Sequence, residues 1–135
     1  MGESLTSRSH EIHIEKIQEV FNGKANARKV KRWRKSGLLK SVGDLVPWSD
    51  IVKIYVILLI FPQRIEVRPA KTLLSVFDNG IPMGNFKITR FGDDYILGNV
   101  MRSWVLNKDG RKQIDTPLTK KVDIYKLSRR ISEAG

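Results

Sequence analysis

The stretch Asn26-Ala27-Arg28-Lys29-Val30-Lys31-Arg32-Trp33-Arg34-Lys35-Ser36-Gly37-Leu38-Leu39-Lys40 decides how this chain is read. With Lys24 just ahead of it, the segment 24–40 holds eight basic residues and no acidic one. The chain has 25 basic residues, so seventeen remain elsewhere against fourteen acidic ones, and this one segment supplies eight of the net eleven positive charges. Charge concentrated on one short element, rather than spread over the surface, points to a polyanionic partner.

The same segment has a direction. Asn26 suits an N-cap, because its side-chain oxygen can take a hydrogen bond from an unpaired amide of the first turn. Gly37 supplies a stop, since glycine adopts the left-handed conformation that closes helices. The spacing therefore predicts a helix from Asn26 to about Ser36. At about 100° per residue, Arg28, Lys31, Arg32 and Lys35 fall within one sector of about 100°. Val30, Trp33 and Gly37 lie nearly opposite, with Ala27 at their flank. Such a helix buries an apolar stripe and presents its cations in a single row. Like charges three and four residues apart repel by about 0.2–0.5 kcal/mol per pair, so the row makes most sense where a partner neutralises it. Phosphates do so with release of condensed counterions, and arginine also reaches guanine edges in the major groove.

Outward from this segment, residues 1–9 read as a frayed polar start without the apolar stretch of a signal peptide. From about Ile12, the residues Ile14, Ile17, Val20 and Phe21 fall at helical spacing, and Asn22-Gly23 ends that helix. Residues 40–47 are too short and turn-rich for a helix. Ser49 is the expected N-cap of a third helix through Ile51, Ile54, Tyr55, Leu58 and Leu59. The β-branched content of this run makes a buried strand the competing reading; its length and the Ser49-Asp50 start favour a helix. The run contains Lys53, stops at Pro62 and is far shorter than the roughly 20 residues of a membrane span. It reads as core, and the chain is expected to be soluble and cytoplasmic, with no membrane partner. The lack of cysteine fits a reducing compartment and removes disulfides, thiolate zinc sites and cysteine nucleophiles.

Between Pro62 and Pro69 the texture changes. Residues 72–77 read as a first β-like piece, followed by the turn signal Asp78-Asn79-Gly80. Further β-like pieces follow at 85–91, 95–97 and 100–106, and Asn107-Lys108-Asp109-Gly110 reads as a hairpin connection to 111–114. The end, 122–131, reads as a helix with Ile124, Leu127 and Ile131 on one face. The expected fold class is therefore α+β.

The N-terminal part resembles the DNA-binding region of MerR-type regulators, a winged helix-turn-helix. In that family a second helix carries a cap, a hydrophobe, a basic residue and aromatics, and closes on Gly-Leu-Leu. Here Asn26, Val30, Lys31, Trp33 and Gly37-Leu38-Leu39 stand in the same order, and Trp48-Ser49-Asp50-Ile51 is similar to the start of the family's next helix. The resemblance covers residues 14–61. The connection from Leu39 to Trp48 is shorter than the family's wing, and the family's long dimerising helix has no counterpart, so effector sensing in the family's style is not expected. The resemblance implies a three-helix, winged-helix-like unit over residues 10–62. A small antiparallel β-rich part with a C-terminal helix would follow over 70–135, serving dimerisation or partner binding. It also implies duplex-DNA contact by the second helix through Arg28, Lys29, Lys31, Arg32 and Lys35, with Asn26, Lys24 and Lys40 alongside. A transcriptional regulator is the expected role, or a replication, partition or recombination accessory protein.

Other chemistry finds less footing. His10 and His13 lie three apart near Glu11 and Glu15 but lack a plausible third ligand, so they read as exposed residues rather than a metal site. Asp93-Asp94 reads as a polar turn. No phosphate-binding glycine loop or nucleophile elbow is present, and neither an enzyme nor a cofactor is expected. Trp33 reads as core, whereas Trp104 beside Arg102 is a candidate secondary contact to nucleic acid. The Lys120-Lys121 and Arg129-Arg130 pairs read as solvated helix ends. Two alternatives remain: an RNA-binding module routing contacts through Trp104, Arg102 and Lys87, and an adaptor whose basic helix docks on an acidic protein.

Overall fold

Ile12 and Val46 are both buried and lie opposite each other in a short antiparallel pair, strand β1 (Ile12–His13) against strand β2 (Leu45–Val46). This pair ties the start of the N-terminal part to the segment that follows the basic helix. The computed structural model describes residues 11–78, 80–91, 94–99, 104–107, 110–113 and 119–134. A 3₁₀ turn over Ile14–Lys16 follows β1 and leads into helix α1 (Ile17–Val20). The expected first helix is thus shorter at its front, because Ile12 is used as a strand residue. Asn22 (φ 53°) and Gly23 (φ 81°) end α1 in left-handed conformations, and the Gly23 amide donates to the Gln18 carbonyl at 2.8 Å.

Helix α2 (Ala27–Lys35) begins at Asn26, whose side-chain oxygen accepts from the Lys29 amide at 2.9 Å. Helix α3 (Trp48–Ile60) is buried around most of its circumference, as expected of a central helix. The strand alternative for this run is therefore excluded. Its N-cap is Pro47 rather than Ser49: the Pro47 carbonyl accepts from the Asp50 and Ile51 amides, both at 3.0 Å. Asp50 is drawn inward instead, only 2% exposed, and its carboxylate accepts from the Ser41 amide at 3.1 Å.

Residues 72–77, expected as β-like, are helical. Helix α4 (Val67–Leu74) runs into a 3₁₀ turn over Ser75–Phe77. Pro69 does not prevent this, because it stands in the first turn, where its missing N–H has no helical partner to lose. Ala70, Leu73, Leu74 and Phe77 then bury one face at helical spacing, which outweighs the β-like local composition.

The C-terminal part carries strands β3 (Phe86–Phe91), β4 (Asp94–Asn99), β5 (Trp104–Asn107), β6 (Gly110–Gln113) and β7 (Thr119–Val122), then helix α5 (Ile124–Ala134). β3 is central, antiparallel to β4 on one side and to β7 on the other, while β5 and β6 pair separately with Asn107 opposite Gly110. Residues 100–103 and 114 of the expected β pieces lie outside the described residues. β7 is an element the sequence pattern did not suggest, and the final helix starts two residues later than expected. Val122 pairs with Phe86 at the strand end, and the Asp123 carboxylate then accepts from the Lys126 amide at 2.9 Å. Asn85, distant in sequence, accepts from the Ile124 amide at 2.7 Å and satisfies another donor of the same helix end. Ile124, Leu127 and Ile131 are buried as expected, and one continuous apolar core joins them to Phe86, Ile88, α3 and α4. The chain is an α+β protein, and among the described residues no helix is long and apolar enough to cross a membrane.

Because Asn85 fastens α5 to the start of β3, Asn85→Ala is expected to lower stability by about 1 kcal/mol. Urea unfolding followed by circular dichroism measures it, and an unchanged midpoint would mean that this bond holds nothing.

Candidate nucleic-acid interface

Helix α2 carries six basic residues among its nine. Val30 is fully buried and Trp33 is 5% exposed, so these two fix how the helix is rotated against the core. Its far end closes with the Gly37 amide on the Arg34 carbonyl at 3.1 Å and the Leu38 amide on the Trp33 carbonyl at 2.9 Å. This is the Schellman arrangement, with buried Leu38 following the turn. Gly37 has φ 89°, so it is needed for its conformation. It is exposed rather than inward as its helical angle suggests, and it lies beside Lys71: a Cβ there would stand 3.5 Å from the Lys71 ammonium.

With the rotation fixed, Arg28, Lys31, Arg32 and Lys35 are all exposed on the outward side. Among the described residues none of the four has an acidic partner. Lys40 is exposed just past the helix end, and Lys24 is exposed ahead of its start. Lys29 is half-buried on one flank, its ammonium donating to the Lys24 carbonyl at 3.1 Å. The structure thus brings Lys24, Asn26, Arg28, Lys29, Lys31, Arg32 and Lys35 onto one element and its approach, with Lys40 adjoining. Asn26 itself is occupied as a cap, so its contribution is to position the helix. Of the two secondary candidates, Arg102 lies outside the described residues and Trp104 opens β5, far along the chain from α2.

Arg34 does something else. On the opposite flank of α2 from Lys29, its guanidinium donates to the Gly43 carbonyl at 2.7 Å, the Ser41 hydroxyl at 3.0 Å and the Leu45 carbonyl at 3.4 Å. It straps the loop 41–45 against the helix, and Asp50 holds the same loop from beneath through the Ser41 amide. Gly43 turns the loop at φ 89°, and Val42 projects from it at 86% exposure. Charge counting alone cannot separate Arg34 from its neighbours. Helical geometry does, because about 100° per residue puts it outside the sector of the outward row.

On the Lys29 flank, α2 and the residues after α3 enclose a groove of about 590 Å³ lined by Lys24, Lys29, Arg32, Trp33, Phe61 and Arg64 among others. Arg64 carried no sequence signal, since nothing in its spacing links it to α2. The His13 imidazole accepts from the Glu15 amide at 3.1 Å and caps the 3₁₀ turn after β1; His10 lies outside the described residues. Lys120 and Lys121 are exposed on β7, a strand rather than the helix end expected for them. Comparison with family models, with curated proteins and with solved structures finds no match to the chain.

The two classes of arginine predict different stability effects. Arg34→Ala is expected to cost about 1–2 kcal/mol through the lost loop bonds, whereas Arg32→Ala stays within about 0.5 kcal/mol. Equal effects in thermal or urea unfolding would refute the division between a bracing and a free cation.

Proposed function

We propose that this chain binds duplex DNA and regulates transcription, seating α2 in the major groove. The observation that carries the reading is the row of Arg28, Lys31, Arg32 and Lys35, exposed and without acidic partners among the described residues. An α-helix with its side chains is about 10–12 Å across, and the major groove is about 12 Å wide. A helix that projects cations on one side and is anchored on the other by Val30 and Trp33 suits that groove. The cations contact phosphates and set the register, and an arginine in the row can bond a guanine edge with two parallel hydrogen bonds.

The paired strands β1 and β2 and the Arg34-strapped loop beside the end of α2 support a short wing in the manner of the MerR-type fold. Lys40 at the loop's start adds a phosphate contact in this reading. The β-rich part is the place for a second copy, because one small module contributes limited specific affinity and two-fold pairing doubles its contacts.

Each phosphate contact contributes about 0.9 to the slope of log affinity against log salt on B-form DNA. Arg28→Ala/Arg32→Ala is therefore expected to reduce the slope by about 2 and to weaken duplex binding at moderate salt. Lys120→Ala/Lys121→Ala serves as the control and leaves the slope near the wild-type value. If the α2 double variant bound duplex with unchanged affinity and slope, α2 would not be the DNA-binding element. Stronger retention of the wild type on single-stranded RNA than on duplex DNA would replace this reading with RNA binding.

A further inference from the structure

The groove on the Lys29 flank of α2 adjoins the outward row and shares Arg32 with it, and its chemistry differs from that of a phosphate-tracking surface. Its volume of about 590 Å³ lies within the range of about 300–1,000 Å³ usual for small-molecule sites. Apolar side chains, Trp33 and half-buried Phe61 among them, alternate with the cations Lys24, Lys29, Arg32 and Arg64, and no carboxylate lines it. The bond from the Lys29 ammonium to the Lys24 carbonyl keeps one of these cations close to the groove wall. Four cations around an apolar lining complement a molecule with one apolar part and one negative part. A bare inorganic ion leaves the apolar lining unused, and a neutral hydrophobe leaves the cations unpaired.

We propose that the groove binds a small organic anion, an apolar body carrying a phosphate, sulfonate or carboxylate head. The head lies among Lys24, Lys29 and Arg64, where charge-assisted hydrogen bonds from guanidinium and ammonium groups are strongest, and the body rests against the Phe61 side. Arg32 lines the groove and also stands in the outward row. Occupancy therefore draws Arg32 away from phosphate and lowers duplex affinity, a consequence that rests on the DNA-binding reading given above.

The test uses the full chain and the fluorescent probe 8-anilinonaphthalene-1-sulfonate, an aromatic body with a sulfonate head. Arg64→Ala, at an exposed position outside α2, is expected to weaken probe binding about tenfold, the loss of one charge-assisted contact. Its circular dichroism spectrum should be unchanged. Adenosine monophosphate and decanoate, offered as competitors, distinguish a nucleotide from an acyl anion as the preferred body. At least one of them should displace the probe at lower concentration than inorganic phosphate does. Equal probe affinity in wild type and Arg64→Ala would overturn the proposal, as would displacement by phosphate as effective as by both organic anions. In a second arm the probe should weaken duplex binding by the wild type and spare Arg64→Ala. A chain that fails to bind duplex but binds the probe in an Arg64-dependent way sinks the DNA reading and supports the groove; duplex binding with no Arg64-dependent probe site does the reverse.

Discussion

Val30 and Trp33, buried on one side of α2, hold in place a helix that its own charges oppose. A helix with six cations in nine residues has little reason to form alone. The pairs Arg28–Lys31, Arg28–Arg32, Lys31–Lys35 and Arg32–Lys35 are like charges three or four apart, each unfavourable by about 0.2–0.5 kcal/mol. Burying one large apolar side chain contributes about 1.5–3 kcal/mol, so two of them, with the Asn26 cap and the closing turn at Gly37, outweigh the repulsion. The same two residues also set the helix rotation. Once Val30 and Trp33 face the core, the outward row has nowhere else to point.

Rotation in turn divides the basic residues by task. Arg34 on one flank faces the loop 41–45 and is consumed in holding it. Lys29 on the other flank borders the groove and is fastened to the Lys24 carbonyl. The sector between the flanks keeps its four cations facing solvent. Net charge alone, as a count, conceals this division, since a guanidinium bonded to backbone carbonyls and one facing water contribute equally to it. The β1–β2 pair and buried Asp50 extend the same frame, because both fix the segment into which Arg34 reaches.

The front of the chain was legible in its sequence because its signals are local. Asn26 as cap, Gly37 as stop, the burial of Val30 and Trp33 and the exposure of the cation row all follow from spacing within about three helical turns. Local signals mislead where distant partners decide. Ser49 has good cap chemistry, yet the helix starts earlier, at Trp48 with Pro47 as its cap, and Asp50 turns inward to a loop amide. Residues 72–77 look β-like until Ala70, Leu73, Leu74 and Phe77 find a common apolar surface. β7 carries no local strand signal, because Lys120 and Lys121 lack strand character and are placed there only by pairing with β3. Of the candidate interface, the outward row could be read from the sequence. The groove could not, because Arg64 reaches it only through the path of the chain after α3.

In the proposed complex the outward face of α2, rather than the basic residues of the sheet, meets nucleic acid. Titrating the isotope-labelled chain with a short duplex, followed by backbone amide and arginine side-chain NMR signals, locates the contact surface. Shifts should concentrate at Arg28, Lys31, Arg32 and Lys35 and extend to Lys40, leaving β3 and β7 quiet. Shifts concentrated at Lys87, Lys120 and Lys121, with α2 unmoved, would contradict the proposed complex.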